Sequence, residues 1–268
     1  MDVAGDPMRA ADRVALEHES WIAYLTGAVS CASGAKVTRE DGVVTILSGL
    51  PMDWFDQVLI ERAEATPAAL LTAVVTARQS GGRFVVRLRD GHDDRFIPTV
   101  MRAGLVRAGE ASSVTGMVAF PIDPVVIRSR GAPGLAIRRV TDAAGVDGHR
   151  EVSTAGFGSD PAVARGTACS ALLDRPECVL YLGYQGDAPV VSGLGWRTGR
   201  TIGVFSIATL ESARRRGYGA AMTARVMADG VAAGCDVAAL QASEMGRPIY
   251  ERLGFRTVVR YTAYTDLA

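Results

Sequence analysis

Along the first half of the chain, segments with apolar residues at helical spacing are followed by segments with the spacing of a strand. Helical spacing over residues 11–30 predicts a first helix. The pair Thr66-Pro67 predicts a second helix that runs to Gln79, because threonine caps helices and proline fits their first turn. The other elements predicted in this half are strands over 42–47 and 83–88 and a helix over 93–103 that ends at Gly104.

The second half combines a strand meander with helices on either side of it. Its predicted elements are a strand over 135–140, two short helices within 142–173, strands over 178–185, 189–197 and 201–209, a helix over 216–233, a strand over 237–242, a short helix over 248–253 and a final strand. Short polar turns between the three central strands favour antiparallel pairing. A strand, a helix and a second apolar strand in succession favour a parallel pair. The expected fold class is α/β (α+β), with a mixed, mostly antiparallel twisted sheet flanked by helices.

A segment rich in proline and glycine separates the two halves. Residues 121–134 contain Pro121, Pro124, Gly131, Pro133 and Gly134, a composition typical of a connection between domains. The length of 268 residues also favours two domains of ordinary size. We therefore expect an N-terminal domain over 1–120, a linker over 121–134 and a C-terminal domain over 135–268.

Charge and hydropathy exclude several kinds of partner. Lysine and arginine together number 29, aspartate and glutamate also number 29, and Lys36 is the only lysine. A formal net charge of zero argues against nucleic acid and against an anionic membrane surface as partners of the whole molecule. The N-terminal segment 1–19 lacks the apolar core of a secretory signal, and no apolar run approaches the roughly 20 residues that span a bilayer.

The four cysteines lie far apart in the sequence and have no histidine at metal-ligand spacing. They are Cys31, Cys169, Cys178 and Cys235. This spacing suggests neither a disulfide framework nor a zinc site, so we expect no metal and a reducing, cytoplasmic environment.

The segment 207–222 is the single stretch of the sequence that most strongly indicates a binding function. A strand leads through three arginines and two glycines into a helix, and the first amides of such a helix point toward an anion. A Walker A loop is excluded because the only lysine lies elsewhere, and a dinucleotide fingerprint is excluded because Met222 replaces its third small residue. A tight turn with a solvated arginine face remains the alternative without a ligand.

Together with the segment 240–255, this loop resembles the GNAT superfamily of acyl-CoA-dependent N-acetyltransferases. Arg214-x-x-Gly217-x-Gly219 matches its pyrophosphate loop, and Tyr250-Glu251-Arg252-Leu253-Gly254-Phe255 matches a second family segment. The resemblance in layout extends over about 135–261, with the specific motifs confined to 207–255.

The resemblance implies a set of binding and catalytic roles. Acetyl-CoA would be the co-substrate, its pantetheine arm paired with the main chain of Ile207, Ala208 and Thr209. The diphosphate would lie in the loop formed by Arg214, Arg215, Arg216, Gly217, Tyr218, Gly219 and Ala220. Tyr250 would protonate the departing thiolate as general acid. Ser243 stands where many members have an asparagine that contacts CoA, which weakens that contact.

The general base is not evident. Many family members use a glutamate on the strand before the loop, whereas 201–209 contains none and offers only Ser206. Glu211 and Glu244 are expected to be solvated or hydrogen-bonded to the loop rather than catalytic, and His149 is expected at the surface. His18 and His92 have no chemical context in the sequence, so deprotonation through water is the remaining route.

A duplication is a further hypothesis. The order of strand, helix and glycine turn in the first half parallels that of the second, and aligning Gly104 with Gly254 places Val100 opposite Tyr250. The first half also lacks the arginine and glycine loop before its helix at 66–79. We therefore expect two GNAT-like domains in tandem, of which the N-terminal one has lost acyl-CoA binding, unless the similarity is a chance recurrence of helix C-caps.

Two functions remain open on the sequence. The first is an enzyme that transfers an acetyl group from acetyl-CoA to a primary amine of a small molecule or protein, by direct attack in a ternary complex. The second is a non-catalytic acyl-CoA-binding sensor or scaffold, motivated by the missing strand glutamate. A nucleic-acid patch at 214–216 is disfavoured by the zero net charge. The sequence does not identify the amine acceptor, and it leaves the oligomeric state open, a homodimer included.

Overall fold

The computed structural model describes residues 8–266. The helices of this part of the chain are α1 (Ala10–Ala28), α2 (Pro67–Gln79), α3 (Ile97–Arg102), α4 (Pro124–Arg128), α5 (Ala143–Phe157), α6 (Pro161–Thr167), α7 (Tyr218–Ala232) and α8 (Arg247–Glu251). Its strands are β1 (Lys36–Glu40), β2 (Val43–Leu47), β3 (Gln57–Ile60), β4 (Val85–Arg89), β5 (Val106–Arg107), β6 (Val114–Ala119), β7 (Leu135–Arg139), β8 (Cys178–Gln185), β9 (Ala188–Thr198), β10 (Thr201–Thr209), β11 (Val237–Ala242) and β12 (Arg256–Thr265).

All of these strands belong to one sheet. Its order is β1-β2-β3-β4-β12-β6-β11-β10-β9-β8-β7, with β5 paired to β12 off this path. Neighbouring strands run antiparallel except for two parallel pairs, β3 with β4 and β10 with β11. The predicted fold class, a mixed and mostly antiparallel sheet flanked by helices, is confirmed.

The same arrangement of strands occurs twice. In the first half β1, β2 and β3 pair antiparallel in succession, and helix α2 then leads to β4, which is parallel to β3. In the second half β8, β9 and β10 do the same, and helix α7 leads to β11, which is parallel to β10. This repetition of strand order is what a duplicated chain would produce.

The final strands of the two halves are exchanged. β6 ends the first half in sequence, yet it pairs with β11 of the second half. β12 ends the second half, yet it lies between β4 and β6 and pairs with both. The segment 121–134, expected as a linker, contains α4, which packs against α7. The sheet therefore continues without a break across the boundary that divides the sequence.

Helices cover the two faces of the sheet in different ways. Helix α1 packs across β9, β10, β11, β6 and β12, so this helix from the N-terminal half lies mainly on strands of the C-terminal half. Its apolar residues share one core with those of α5 and α6. Helix α7 packs on the opposite face in a separate core, and α2 forms a third core with the first half.

A buried polar cluster lies where α1 crosses the exchanged strands. Glu17 of α1 accepts hydrogen bonds from the Tyr261 hydroxyl of β12 (2.5 Å) and from the Gln241 amide of β11 (2.6 Å). Nε2 of His18 lies 2.7 Å from the carbonyl of Ile60 and therefore carries the ring proton, since a carbonyl only accepts. Nδ1 of His18 lies 3.0 Å from the Tyr261 hydroxyl. The expectation that His18 has no chemical context is wrong, because the fold brings these distant residues together.

Burial controls the ionisation of this cluster. Loss of water raises the pKa of Glu17 to about 7, partly offset by its hydrogen bonds from Tyr261 and Gln241. Burial also lowers the pKa of His18 to about 3, so its ring is neutral. The Tyr261 hydroxyl has one proton and faces two acceptors, an ionised Glu17 and Nδ1 of His18. When Glu17 is protonated, it donates to the Tyr261 oxygen and the Tyr261 hydroxyl donates to His18, so both contacts are hydrogen bonds.

The expectation that no disulfide forms is also wrong. Cys31, which follows α1, is bonded to Cys169, which follows α6, across a sequence separation of 138 residues. The sequence spacing gives no sign of this pair because the cysteines approach only after α6 packs against the turn at the end of α1. Cys178 and Cys235 are free and buried.

Replacing Glu17 should change how stability depends on pH. The raised pKa means that the folded protein holds a proton that the unfolded chain has released above its ordinary pKa of 4.5. This contribution is fully present below that value and is lost as the pH rises through about 7. Relative to Glu17→Gln, which mimics the protonated carboxyl, the wild type should lose roughly 3 kcal/mol of unfolding free energy between about pH 4.5 and about pH 8.

Denaturant unfolding at several pH values measures this difference, and Glu19→Gln on the exposed side of the same helix is the control. Parallel pH dependences of the wild type and Glu17→Gln would contradict the prediction.

Candidate functional site

The two parallel strands of the C-terminal half separate and leave a wedge between them. β10 and β11 pair only from Thr201 with Val237 to Gly203 with Ala239. Beyond this point β10 continues to Thr209 and β11 to Ala242 without pairing to each other. The main chain of Ile207, Ala208 and Thr209 therefore lies on the edge of the wedge, on the strand predicted to receive the pantetheine arm.

A bulge in β10 accompanies this separation. Phe205 pairs with Leu194 of β9 and Ala208 with Ser192, so two residues of β10, Ser206 and Ile207, oppose one residue of β9. Ser206 has a φ of 51°, in the left-handed region that few residues other than glycine adopt. The bulge changes the direction of the strand just before the three main-chain groups at the wedge.

The loop after β10 is held in place by one of its arginines. Arg214 donates from Nε to the carbonyl of Thr209 (3.3 Å) and from its guanidinium to the carbonyl of Gly156, at the end of α5 (2.8 Å). Arg215 and Gly217 both have positive φ, at 62° and 81°. Turns that use such conformations expose successive amides to an anion.

Helix α7 begins at this loop with a bare N-terminus. Gly217 is the N-cap residue and supplies no side-chain cap, and the first intrahelical bond is from the amide of Ala221 to the carbonyl of Gly217. The amides of Tyr218, Gly219 and Ala220 therefore have no acceptor within the helix. Space above Gly217 is open, because a Cβ there would meet no atom within 4 Å. The loop has the form of an anion site with positive helix-dipole potential.

The remaining side chains of the predicted loop lie in different places. Arg215 and Arg216 are exposed beside the helix start, and Arg216 donates to the Gln185 side chain (3.0 Å). Tyr218 is buried in the core on the α7 face, so only its amide faces the loop. Ile207 and Ala220 pack at the edge of that same core. The fold thus brings the predicted binding residues of the strand and of the loop together.

Tyr250 lies on α8, which follows β11 after the turn at Ser243–Gly246. Its ring meets Phe255 edge to face at a centroid distance of 6.0 Å and packs at the edge of the core that also borders Ile207. Its hydroxyl makes no hydrogen bond within residues 8–266. Burial raises the pKa of Tyr250 to about 12, so the hydroxyl keeps its proton at neutral pH.

Ser243 is engaged in the turn that precedes α8. Its hydroxyl accepts a hydrogen bond from the amide of Gly246 (3.2 Å), and its carbonyl accepts one from the amide of Arg247 (2.9 Å). The side chain is exposed, but its main structural contact is local.

No carboxylate lies on β10, and the other acid and base candidates differ in their exposure to solvent. Glu211 and Glu244 are exposed, in line with their expected solvation. The expectation of a surface position for His149 is wrong, because α5 turns this ring against β9 and leaves it only 2% exposed. Burial lowers the pKa of His149 to about 4, so the ring is neutral, and it faces the Gly193 main chain without a well-formed hydrogen bond.

The corresponding wedge of the N-terminal half is filled. β3 and β4 pair from Gln57 to Leu59, and β3 ends one residue later at Ile60. The Ile60 carbonyl, which would lie on the wedge edge, accepts from His18 (2.7 Å) and from Arg89 (3.4 Å). Arg89 is held there by a buried ion pair with Asp93 (2.8 Å). Two side chains thus take the contacts that a ligand would make in this half.

The helix start in the N-terminal half is also closed to anions. Thr66 caps α2 by accepting from the amide of Ala69 (3.1 Å), and Pro67 in the first turn has no amide proton. The loop before it carries Glu61, Arg62 and Glu64, so it has one arginine where the loop before α7 has three. A satisfied cap and the lower positive charge both oppose binding of a diphosphate.

Metal and membrane features are absent from the described range. Within residues 8–266 no three histidine, cysteine, aspartate or glutamate side chains are grouped as metal ligands would be. No helix in that range is long and apolar enough to cross a bilayer.

Comparisons with solved structures agree with this architecture. A GCN5-related N-acetyltransferase from Kribbella flavida superposes with a TM-score of 0.67 at 17% identity, covering 94% of this chain and 96% of that one. A tandem GNAT protein from the clavulanic acid biosynthesis pathway gives a TM-score of 0.62 at 12% identity, with 97% and 96% covered. A putative GNAT acetyltransferase from Novosphingobium aromaticivorans gives 0.57 at 17% identity, with 95% and 99% covered.

The matches extend over nearly the whole length of both chains, so the likeness includes the two halves together. Neither a family model nor a curated protein matches the sequence. The protein therefore has the fold of GNAT acetyltransferases, in a tandem arrangement of two such units, as the sequence motifs predicted.

Substitution of Gly217 tests the anion site. Gly217→Val places a β-branched residue at a φ of 81° and a side chain in front of the open amides, so affinity for acetyl-CoA should fall at least about tenfold. Gly234→Val is a matched control, because Gly234 has a φ of 88° and open space at the other end of α7. Calorimetric titration measures both. Equal affinities of the two variants would remove the loop from the binding site.

Proposed function

We propose that the protein is an N-acetyltransferase that moves an acetyl group from acetyl-CoA to a primary amine of a small molecule or protein. The single observation that carries this proposal is the open wedge between β10 and β11, with the uncapped N-terminus of α7 at its mouth. A strand edge and a bare helix start in one place suit a ligand that has amide groups in an extended arm and a diphosphate at its end.

The wedge residues suggest a division of roles. Ile207, Ala208 and Thr209 would pair with the pantetheine arm through their main chain. Arg214 would hold the loop in shape, and Arg215 and Arg216 would add positive charge beside the diphosphate. Ser243 would contribute less than an asparagine there, since its hydroxyl already accepts from the Gly246 amide.

The reaction needs a free amine to attack the thioester carbonyl and a proton for the leaving thiolate. Direct attack in a ternary complex requires only that both substrates be held side by side. Main-chain amides at the wedge edge would stabilise the negative charge on the carbonyl oxygen. Tyr250, protonated at neutral pH, would supply the proton to sulfur. With no carboxylate on β10, water would carry the proton away from the amine.

Other parts of the proposal concern the whole molecule. We propose that residues 135–268 form the catalytic unit and that the N-terminal unit has lost acyl-CoA binding, in line with its filled wedge and the capped start of α2. A cytoplasmic location stays a prediction, and the disulfide between Cys31 and Cys169 removes the argument from cysteine spacing that favoured it. A homodimer also stays a prediction.

A non-catalytic acyl-CoA sensor is the second candidate. The absence of a carboxylate from Thr201–Thr209 and the local engagement of Ser243 are the observations that favour it. Release of free CoA thiol from acetyl-CoA, followed with a panel of small amines, aminoglycosides and peptide N-termini, separates the two. Tight binding of acetyl-CoA without acetylation of any amine would favour the sensor, and failure to bind acetyl-CoA would refute both.

Removal of the Tyr250 hydroxyl should affect the chemical step alone. Tyr250→Phe should lower kcat by about 10-fold to 100-fold while the affinity for acetyl-CoA stays within about twofold, because the ring keeps its packing and only the proton donor is lost. The matched control is Tyr184→Phe, a half-buried tyrosine on β8 whose ring lies under Arg138. An unchanged kcat in Tyr250→Phe would exclude this residue as the acid.

A further inference from the structure

The bulge in β10 is supported by a residue that is distant in sequence and belongs to the N-terminal half. The hydroxyl of Tyr24, on α1, lies 3.2 Å from the hydroxyl of Ser206, at the bulge. The Tyr24 ring stacks on Phe205, the residue before the bulge, at a centroid distance of 3.9 Å and an interplanar angle of 6°. Tyr24 is only 4% exposed, so both contacts are shielded from bulk water.

The conformation at Ser206 needs such support. A side-chain-bearing residue at a φ of 51° is strained, and it persists only where its surroundings over-determine it. Three contacts do so here: the Tyr24 hydroxyl, the Tyr24 ring on Phe205, and the Ser192 hydroxyl, which donates to the Ser206 carbonyl (3.4 Å). Two of these three come from α1.

Helix α1 is itself fixed on either side of Tyr24. Toward its N-terminus, Ser20 packs against Gly203 of β10, where a Cβ would clash with the serine hydroxyl. Toward its C-terminus, Gly27 packs under the Trp196 ring, and Cys31 beyond the helix is bonded to Cys169. Close packing on both sides of Tyr24 thus defines its position relative to the bulge.

We propose that Tyr24 is a positioning residue for the wedge: α1 of the N-terminal half holds the β10 bulge so that the main chain of Ile207–Thr209 faces the pantetheine arm. This inference rests on the proposed function. It gives the N-terminal unit, whose own wedge is filled, a direct part in the site of the C-terminal unit.

Comparison of two ligands distinguishes binding at the strand edge from binding at the loop. Acetyl-CoA engages both in this proposal, whereas adenosine diphosphate has a diphosphate but no pantetheine arm and engages the loop alone. Tyr24→Phe keeps the stacked ring and removes the hydroxyl. It should bind acetyl-CoA about fivefold to tenfold more weakly than the wild type and bind adenosine diphosphate equally well, as measured by calorimetry. Tyr184→Phe is the control for loss of a tyrosine hydroxyl elsewhere.

A rescue variant separates positioning from a general loss of stability. Glycine adopts a φ of 51° without strain, so Tyr24→Phe combined with Ser206→Gly should regain most of the acetyl-CoA affinity. Variants destabilised in a general way would not be rescued by a further glycine.

Several results would overturn the inference. They are an acetyl-CoA affinity of Tyr24→Phe within twofold of the wild type, an equal loss of affinity for both ligands, and a double variant that binds no better than Tyr24→Phe. A wild-type protein that fails to bind acetyl-CoA would instead overturn the proposed function itself.

Discussion

The exchange of β6 and β12 is the constraint on which the rest of the structure depends. Each of these strands completes a part of the sheet that the other half of the chain began, and their mutual pairing joins the two parts. Without β12, β4 and β6 would each have a long unpaired edge, and buried main-chain groups would lose their hydrogen-bond partners. Helix α1 packs over this junction and places Glu17 between Tyr261 of β12 and Gln241 of β11. The two halves therefore share one continuous sheet.

The two halves share a strand order but have opposite local chemistry. Both contain a parallel pair whose strands would separate at one end, and in both a helix follows the first strand of the pair. In the second half glycine and arginine leave the helix start open and positive, and β10 and β11 do not pair beyond Gly203 and Ala239. In the first half Thr66 caps the helix, and His18 and Arg89 take the Ile60 carbonyl. A few side chains thus account for one open site and one closed site on the same framework.

Much of the fold could be predicted from local pattern, and the exceptions have identifiable causes. The strands at 178–185, 201–209 and 237–242 and the helix that starts after Thr66 match the structure at their bounds, because turn residues and caps mark them locally. The strand β1 was missed because it lies exposed along its length and shows no alternation. The strand β6 was missed because it is buried on both sides, and Gly116 within it makes room for the Glu17 carboxyl.

For the site, the sequence by itself determined the groups that are contiguous in the chain. The arginine and glycine loop, the strand before it and the segment around Tyr250 carry their chemistry in adjacent residues, since a helix start and a strand end are local structures. The tertiary structure alone decided the partnership of Cys31 with Cys169, the burial of His149 and the cluster around Glu17. It also decided the contact of Tyr24 with Ser206. These depend on strand exchange and on the path of α1 across the sheet, and no spacing in the sequence records which distant elements will pack together.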